Sequence, residues 1–350
     1  MKTGVFRQKN LAGKIVTMLF GASVVLGATV ANAEAMKPSA EDIAKYLRPM
    51  EVPQPANNLM TPERVELGKT LFFDPRLSGS KWISCATCHN PVLGWSDGLP
   101  KAIGHGMKEL GRATPTILNS AYQRLQFWDG RARTLEKQAL GPIGAEHEMA
   151  GNLDSLPEDL AAIPEYNRMF EAAYPGEGIS KNTIAKAIAS FERTVVSNDA
   201  PFDRWLKGED GYMSEAAIRG FELFKGKAKC AACHSGFNFS DNGFHNIGLP
   251  DNDDMGRYRI IPIAVLKGAF KTPTLRDVAL TAPYMHNGQY KTLMDVIEHY
   301  NRGGDKNLGN LDPNLKPLNL TGQEKKDLVT FLKSLTGDPV EVTLPQVPVE

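Results

Sequence analysis

Two short stretches of sequence decide the fold: Cys85-Ala86-Thr87-Cys88-His89 and Cys230-Ala231-Ala232-Cys233-His234. They contain all four cysteines of the chain, and a histidine directly follows each pair. Cysteines three positions apart can form thioether bonds to the two vinyl groups along one edge of a porphyrin, and the adjoining histidine can then ligate the iron. The sequence therefore predicts two covalently bound haem c groups, with His89 and His234 as axial ligands.

Paired cysteines have other uses, especially in an exported protein. Four cysteines could form two disulfide bonds, a redox-active Cys-x-x-Cys pair or half of a zinc site. None of these needs a histidine directly after the pair, and here both pairs have one. Haem attachment is therefore favoured.

The sequence before the two motifs is also repeated. Gly68-Lys69-Thr70-Leu71-Phe72 precedes the first motif and Gly220-Phe221-Glu222-Leu223-Phe224 precedes the second, and both are typical of an amphipathic helix. Further helix signals are found at Thr61-Pro62, Ser214-Glu215, 179–193, and 323–335 after Thr321. No sustained alternation of apolar and polar residues is present. We expect a mainly α fold with two class I cytochrome c-like haem domains, and long loops rich in glycine and proline that wrap the haems.

The N-terminal 33 residues are typical of a secretory signal peptide. Four basic residues precede the apolar stretch 15–30, and Ala31-Asn32-Ala33 is a small-residue cleavage site. The apolar stretch is too short and too often interrupted for a membrane anchor, and no later segment could span a bilayer. We therefore expect residues 1–33 to be removed, a domain at 34–200, a second domain at 201–350, and a periplasmic location.

The composition limits the partners. The chain has 350 residues, with 40 Lys and Arg against 40 Asp and Glu. Such a balance offers no general attraction for a nucleic-acid backbone. Nucleic acid is therefore excluded as an expected partner.

At this point the sequence resembles the bacterial di-haem cytochrome c peroxidases and their relative MauG, a di-haem enzyme that oxidises tryptophans in a partner protein. The two haem motifs carry the resemblance together with three further stretches, which are 67–78 (LGKTLFFDPRLS), 127–132 (FWDGRA) and 274–284 (TLRDVALTAPY). Together these stretches span most of the chain after residue 33.

The resemblance implies roles for residues around the first haem, which is the peroxide site in this family. His105, in Gly104-His105-Gly106, matches a removable sixth iron ligand. Gln138 and Glu148 match a glutamine that orients peroxide and a glutamate that moves a proton between its two oxygens. Trp128 matches the tryptophan between the haems. From local sequence alone, a surface histidine, a solvated helix face and a core aromatic residue are the simpler readings of these positions.

At the second haem, which transfers electrons in this family, Tyr300 aligns with the methionine that ligates the iron in typical members. A tyrosine at this position is the MauG-like arrangement. A phenolate stabilises ferric and higher oxidation states, whereas a thioether favours ferrous iron. Met285 and Met294 remain alternative ligands, and core packing is the simpler reading of all three residues. The other histidines (His147, His245, His286 and His299) are expected to serve structure or to bond haem propionates.

The resemblance also implies an interdomain calcium ion bound by the backbone carbonyls of Thr281 and Pro283. The asparagine that usually completes this site is replaced by Ala113. The loss of one side-chain oxygen should weaken calcium binding.

Three functions are consistent with these residues. The first is a periplasmic peroxidase that reduces hydrogen peroxide with electrons from a small cytochrome c or cupredoxin, and the resemblance implies a homodimer for this kind of enzyme. The second is a MauG-like enzyme that oxidises aromatic residues of a partner protein. The third is a non-enzymatic electron carrier with two six-coordinate haems, which leaves Gln138 and Glu148 without a role.

Overall fold

The computed structural model describes residues 1–4, 37–250, 253–305 and 310–349. Most of the predicted signal peptide lies outside these residues. None of the helices in the described part of the chain has the length and apolarity needed to span a bilayer. The prediction of a mainly α fold is confirmed, because the regular strands described are only β1 (Phe244–His245) and β2 (Phe270–Lys271), which pair antiparallel.

The described helices are mostly short, and 3-10 turns and long loops connect them. In chain order they are α1 (Ala40–Tyr46), α2 (Pro62–Phe73), α3 (Cys85–Cys88), α4 (Leu135–Gly144), α5 (Leu156–Ala161), α6 (Pro164–Ala173), α7 (Lys181–Glu192), α8 (Pro201–Leu206), α9 (Glu215–Lys225), α10 (Leu293–Arg302) and α11 (Gly322–Lys333). The helix starts predicted at Thr61, Ser214 and Thr321 are present, since each hydroxyl accepts a hydrogen bond from a backbone N–H of the first turn.

In the first half, defined here as residues 62–195, α2 packs against α7. Gly68 makes this close crossing possible, because a Cβ atom there would lie 1.9 Å from the carbonyl oxygen of Ala187. Leu71 and Phe72 lie beside the glycine and are fully buried in the core of this half. The missing side chain at Gly68 thus sets the distance between the two helices.

The second half, residues 201–336, repeats this construction with α9 and α11. A Cβ atom at Gly220 would lie 2.1 Å from the carbonyl oxygen of Asp327. Phe221, Phe224 and Phe331 fill the core around the crossing. In each half, therefore, one helix of the glycine-crossed pair precedes the haem motif and the other follows it.

A second repeated unit follows each motif and ends in a helix. An isolated bridge joins Gln126 to Ala132 in the first half, and the same bridge joins Tyr284 to Tyr290 in the second. Both loops have left-handed backbone at matching positions, Phe127 and Met285 and then Gly130 and Gly288. Both helices begin after a capping threonine, Thr134 for α4 and Thr292 for α10. The two loops and helices therefore correspond residue by residue.

Each terminal segment packs on the opposite half. Tyr46 of α1 is fully buried and lies 5.1 Å, centroid to centroid, from Phe239 of the second half. Asp42 of the same helix forms an ion pair with Lys225 at 2.9 Å.

At the other end of the chain, Val340 and Val342 pack against the core of the first half. Asn198 holds this tail, because its side-chain amide donates to the carbonyls of Asp338 and Pro339 at 3.1 Å. The chain thus crosses between the halves at both ends.

Candidate haem sites and the region between them

A cavity of about 1090 Å³ is lined by both Cys-x-x-Cys-His motifs. All four cysteines are free thiols at its wall and form no disulfide bond. Two sulfurs and a histidine at one wall, repeated at a second wall, are the donor set that covalent haem attachment requires. The residues present therefore fit two haem c groups.

The two proximal histidines are oriented by backbone carbonyls. The Nδ1 atom of His89 lies 3.2 Å from the carbonyl oxygen of Trp95, and the Nδ1 atom of His234 lies 2.8 Å from that of Phe239. A hydrogen bond at Nδ1 fixes the ring and leaves Nε2 available to a metal. Burial lowers the pKa of both imidazoles, which favours the neutral form that ligates iron.

Gln138 and Glu148, the residues predicted for the peroxide side of the first haem, both line the cavity. Gln138 projects from α4, and Glu148 lies in the loop after it. Burial raises the pKa of the Glu148 carboxyl, and the charge of Arg131 opposes this shift. A carboxyl group whose pKa lies nearer neutrality is better suited to accept and return a proton.

The structure places His105 differently from the other predicted residues. Its backbone N–H donates to the carbonyl of Glu148 at 2.8 Å, so the loop runs beside Glu148. The neighbouring Gly104 lines the cavity, whereas His105 is not among the lining residues. Among the described residues, the buried Nδ1 atom of His105 has no hydrogen-bond partner. The imidazole thus lies next to the first haem site but outside it in this conformation.

Tyr300 lines the cavity from α10, and its nearest acidic neighbours include the Cys230 and Cys233 thiols of the second motif. Burial, together with these thiols, raises the pKa of the phenol. Within the described part of the chain, no side chain or backbone group forms a hydrogen bond with its hydroxyl. Met285 also lines the cavity, and Met294 does not. The geometry therefore makes Tyr300 available as the sixth ligand of the second haem.

The repeated loop and helix identify the counterpart of Tyr300 in the first half. When Phe127 is matched to Met285 and Thr134 to Thr292, Pro142 of α4 falls at the position of Tyr300. Pro142 also lines the cavity. A proline side chain has no donor atom for iron. Sequence reasoning missed this correspondence, although the spacing from capping threonine to Pro142 and to Tyr300 is identical.

Trp128 lies where the two halves meet. Its indole Nε1–H donates to the carbonyl of Ala113 at 3.0 Å, and its ring centroid is 6.4 Å from that of His286, its counterpart in the second half. Two backbone hydrogen bonds cross here in matching directions, from Ala113 N to His286 O at 2.7 Å and from Lys271 N to Trp128 O at 2.8 Å. Trp128 is therefore held by both halves.

The residues predicted to bind calcium also border this cavity. Thr281, Pro283 and Ala113 all line the cavity, and the Thr281 hydroxyl donates to the carbonyl of Val278. Ala113 supplies no side-chain oxygen there.

The remaining histidines have structural partners. His245 lies between the carboxylates of Asp312 and Asp241 at 2.6 and 2.9 Å, and His299 is buried with its Nε2 atom 2.8 Å from the carbonyl of Ile247. His147 is exposed beside Lys108. His286 stacks on Phe270, and burial lowers its pKa to about 4.

Comparison with known proteins agrees with this geometry. The di-haem cytochrome c peroxidase family matches residues 62–211, and the cytochrome c family matches residues 217–336. The methylamine utilization protein MauG of Methylorubrum extorquens is 48% identical over 329 residues, which cover 92% of each chain. The cytochrome c551 peroxidase of Nitrosomonas europaea is 35% identical over 331 residues, which cover 93% of each chain.

A solved structure of a MauG-like protein associated with microbial copper homeostasis superposes with a TM-score of 0.78 at 34% identity, covering 83% of this chain and 95% of that one. The predictions of family, fold class and two haem c groups are thereby confirmed. The chain belongs to the di-haem cytochrome c peroxidase and MauG family and is an oxidoreductase.

Proposed function

We propose that this protein is a MauG-like di-haem enzyme that uses hydrogen peroxide to oxidise aromatic residues of a partner protein. The observation that carries the proposal is the pair Pro142 and Tyr300, which occupy matching positions on α4 and α10. With haem bound, Pro142 would offer the first iron no ligand, whereas Tyr300 would offer the second iron a ligand that favours high oxidation states. The similarity to MauG proteins supports the same assignment.

When bound, the first haem would supply cleavage of the peroxide O–O bond, and the two haems together would store the oxidising equivalents. Glu148 would take a proton from one peroxide oxygen and return it to the other, and Gln138 would orient the peroxide by a hydrogen bond. Trp128 would connect the two sites electronically, because its indole contacts residues of both halves.

A second candidate is the cytochrome c peroxidase that the sequence first favoured. It would take electrons from a small cytochrome c or cupredoxin and could act as a homodimer. The proximity of His105 to Glu148 favours it, since a modest movement of this loop would bring an imidazole to the first haem. The electron carrier is the weakest of the three hypotheses, because it leaves Gln138 and Glu148, which both line the cavity, without a role.

Stopped-flow absorption spectroscopy distinguishes these candidates. Diferric holoprotein is mixed anaerobically with one equivalent of hydrogen peroxide, with and without prior reduction by one electron. We expect the diferric form to react at once and its oxidised state to persist until an aromatic reductant is added. A reaction of the reduced form alone would establish the gated peroxidase, and no reaction of either form would leave the electron carrier.

Two variants test which residues determine the outcome of the peroxide experiment. Tyr300→Met should still react with peroxide, because the first site is unchanged, but its oxidised state should decay faster. His105→Ala should react like the parent protein under our proposal. A large gain in the reactivity of diferric His105→Ala would instead show that His105 blocks the first haem.

Three further features belong to this proposal. Export to the periplasm is supported by the N-terminal sequence, and division into domains at 34–200 and 201–350 is supported by the two haem motifs. A calcium ion at Thr281 and Pro283 would bind weakly without an oxygen ligand at position 113. Calcium titration of the chelated holoprotein, followed by haem absorption, tests this last feature.

A further inference from the structure

Lys271 is a buried cation without a buried anion. Its side chain is only 6% exposed. Its ammonium donates to the side-chain oxygen of Gln123 at 2.5 Å, and no carboxylate in the described residues forms an ion pair with it. Burying an unpaired charge is costly, and proteins normally pair such groups. The described part of the polypeptide therefore supplies no anionic partner for this ammonium.

The other buried cations have the carboxylate partner that Lys271 lacks. Three Lys or Arg side chains are more than nine-tenths buried in the described part of the chain. Arg193 pairs with Glu136 at 2.7 Å, and Arg276 pairs with Asp203 at 2.7 Å. Lys271 alone of the three has only a neutral amide. Burial lowers its pKa to about 8, which is the expected response of an ammonium without a counter-ion.

The position of Lys271 indicates which anion it meets. Both Lys271 and Gln123 line the cavity that carries the two haem motifs. One residue after Lys271, the backbone of Thr272 donates to the carbonyl of Gly243 at 3.0 Å and accepts from the Ser240 hydroxyl at 2.7 Å, and both partners lie in the loop that follows the second motif. The main chain of Lys271 also donates to the carbonyl of Trp128. The lysine thus lies at the second haem site, on the side that faces the first half.

Two other basic side chains on the cavity wall already have carboxylate partners. Arg112 is held by Asp129 and Asp254, each at 2.7 Å. His245 is held by two carboxylates as well.

We propose that Lys271, assisted by Gln123, binds a propionate group of the second haem and makes that haem easier to reduce. A haem brings two carboxylates into an otherwise closed site, and an ammonium within hydrogen-bond distance would neutralise one of them. A nearby positive charge favours the ferrous state, because it offsets the electron that reduction adds. Lys271 would therefore oppose the effect of Tyr300 on the same iron. Its counterpart in the first half is Ala113, so this charge is present on one side only.

Redox titration of the holoprotein, followed by the absorption of each haem, tests the inference. Lys271→Met should make reduction of the second haem about tenfold less favourable, which is a shift of about 59 mV to lower potential for a one-electron couple. Lys271→Arg should restore most of the potential. Lys267→Met is the matched control, since Lys267 is an exposed lysine close in sequence, and it should shift neither haem.

A second variant guards against loss of folding. Gln123→Glu keeps the size of the side chain and gives Lys271 a carboxylate partner from the protein, so it should also lower the potential of the second haem. The inference is overturned if both variants retain two haems and leave that potential where Lys267→Met leaves it, or if only the first haem responds. It depends on the covalent haems and not on the substrate proposed above, so the peroxide experiment can fail while this one succeeds.

Discussion

The half of the chain that carries Cys85 and the half that carries Cys230 each cross two helices through a glycine, and each follows its haem motif with the same turn and helix. Gly68 meets Ala187, and Gly220 meets Asp327, at nearly the same distance. The two halves differ at positions that face the cavity. Pro142 in the first half corresponds to Tyr300 in the second, Ala113 corresponds to Lys271, and Trp128 corresponds to His286.

This difference shows how one backbone can support two kinds of haem chemistry. The repeated parts fix the helices and the proximal histidine, so a haem bound in either half would meet the following helix at the same position. The side chain at that position, Pro142 or Tyr300, would then decide whether the helix supplies an iron ligand. A proline there offers iron no ligand, whereas a tyrosine offers a phenolate.

The largest expected effect comes from breaking the helix crossings. Gly68→Ala and Gly220→Ala each place a Cβ atom within about 2 Å of a backbone carbonyl. Neither neighbour is a flexible side chain, so the helices must separate, at a cost of about 3 kcal/mol or more. We expect little or no holoprotein from either variant, as measured by haem-stained gels. Gly322→Ala, at a helix start with open space around it, should yield normal holoprotein.

Glu148→Gln tests the chemical role of the first half. The amide keeps the shape of the side chain but cannot carry a proton between the peroxide oxygens. The rate of the peroxide reaction should fall by about 10²- to 10⁴-fold, as measured by stopped flow. Glu158→Gln, on the exposed side of α5, is the control and should react normally. An unchanged rate in Glu148→Gln would remove the carboxylate from the mechanism.

Pro142→Tyr tests the comparison directly by giving the first half the residue of the second. A phenol at this position should ligate the first iron and convert its spectrum from high spin to low spin. The peroxide reaction should slow by about 100-fold because the open position is filled. A variant that remains high spin and reactive would mean that α4 and α10 do not present this position equivalently. Pro142→Ala, which adds no ligand, is the control.

The contact between the halves should depend on pH. Burial would raise the pKa of Asp254, but hydrogen bonds from Arg112 and from the Gly256 N–H lower it to about 2. Since the folded pKa lies below the unfolded value, this carboxylate stabilises the fold above about pH 4, and the stabilisation is lost as the pH falls toward 2. It amounts to about 2 kcal/mol. Urea unfolding from pH 5 to 2 measures it, and Asp254→Asn should show a smaller loss over the same range.

The smallest expected effect concerns the C-terminal tail. Val342→Ala removes apolar contacts with the core of the first half and should cost about 1 kcal/mol. Val349→Ala is the matched control, because Val349 is 86% exposed. Thermal unfolding followed at each haem should show that the first half is affected first. Equal destabilisation by the two substitutions would mean that the tail contributes nothing specific.

The sequence was sufficient to predict the haem motifs, most of the helices and their caps, because these depend on neighbouring residues. Lys181–Glu192 and Gly322–Lys333 lie within about two residues of the predicted helices. Through resemblance to a family, it also assigned Gln138 and Glu148 to the first haem and Tyr300 to the second, and the structure shows that all three line one cavity. The position of the His105 ring outside that cavity could not be predicted, since it depends on a hydrogen bond to Glu148 across the loop.

The burial of the unpaired Lys271 ammonium could not be predicted from the sequence either. In sequence, a lysine after an aromatic residue in a β-prone segment is most simply read as exposed. Its burial follows from the pairing of β2 and from the hydrogen bond to Trp128, which are both long-range contacts. The correspondence of Pro142 with Tyr300 was present in the spacing, but few residues are identical between the two loops, so the shared turn geometry was needed to align them.

The exchange of terminal segments between the halves has a consequence for the order in which the protein matures. A chain that emerges N-terminus first presents α1 long before its binding site on the second half exists, and presents the first haem motif long before the tail that covers that half. Each half therefore completes its core only after a segment from the other part of the chain has been made. The crossing thus couples the folding of the two halves, so that neither reaches its final packing alone.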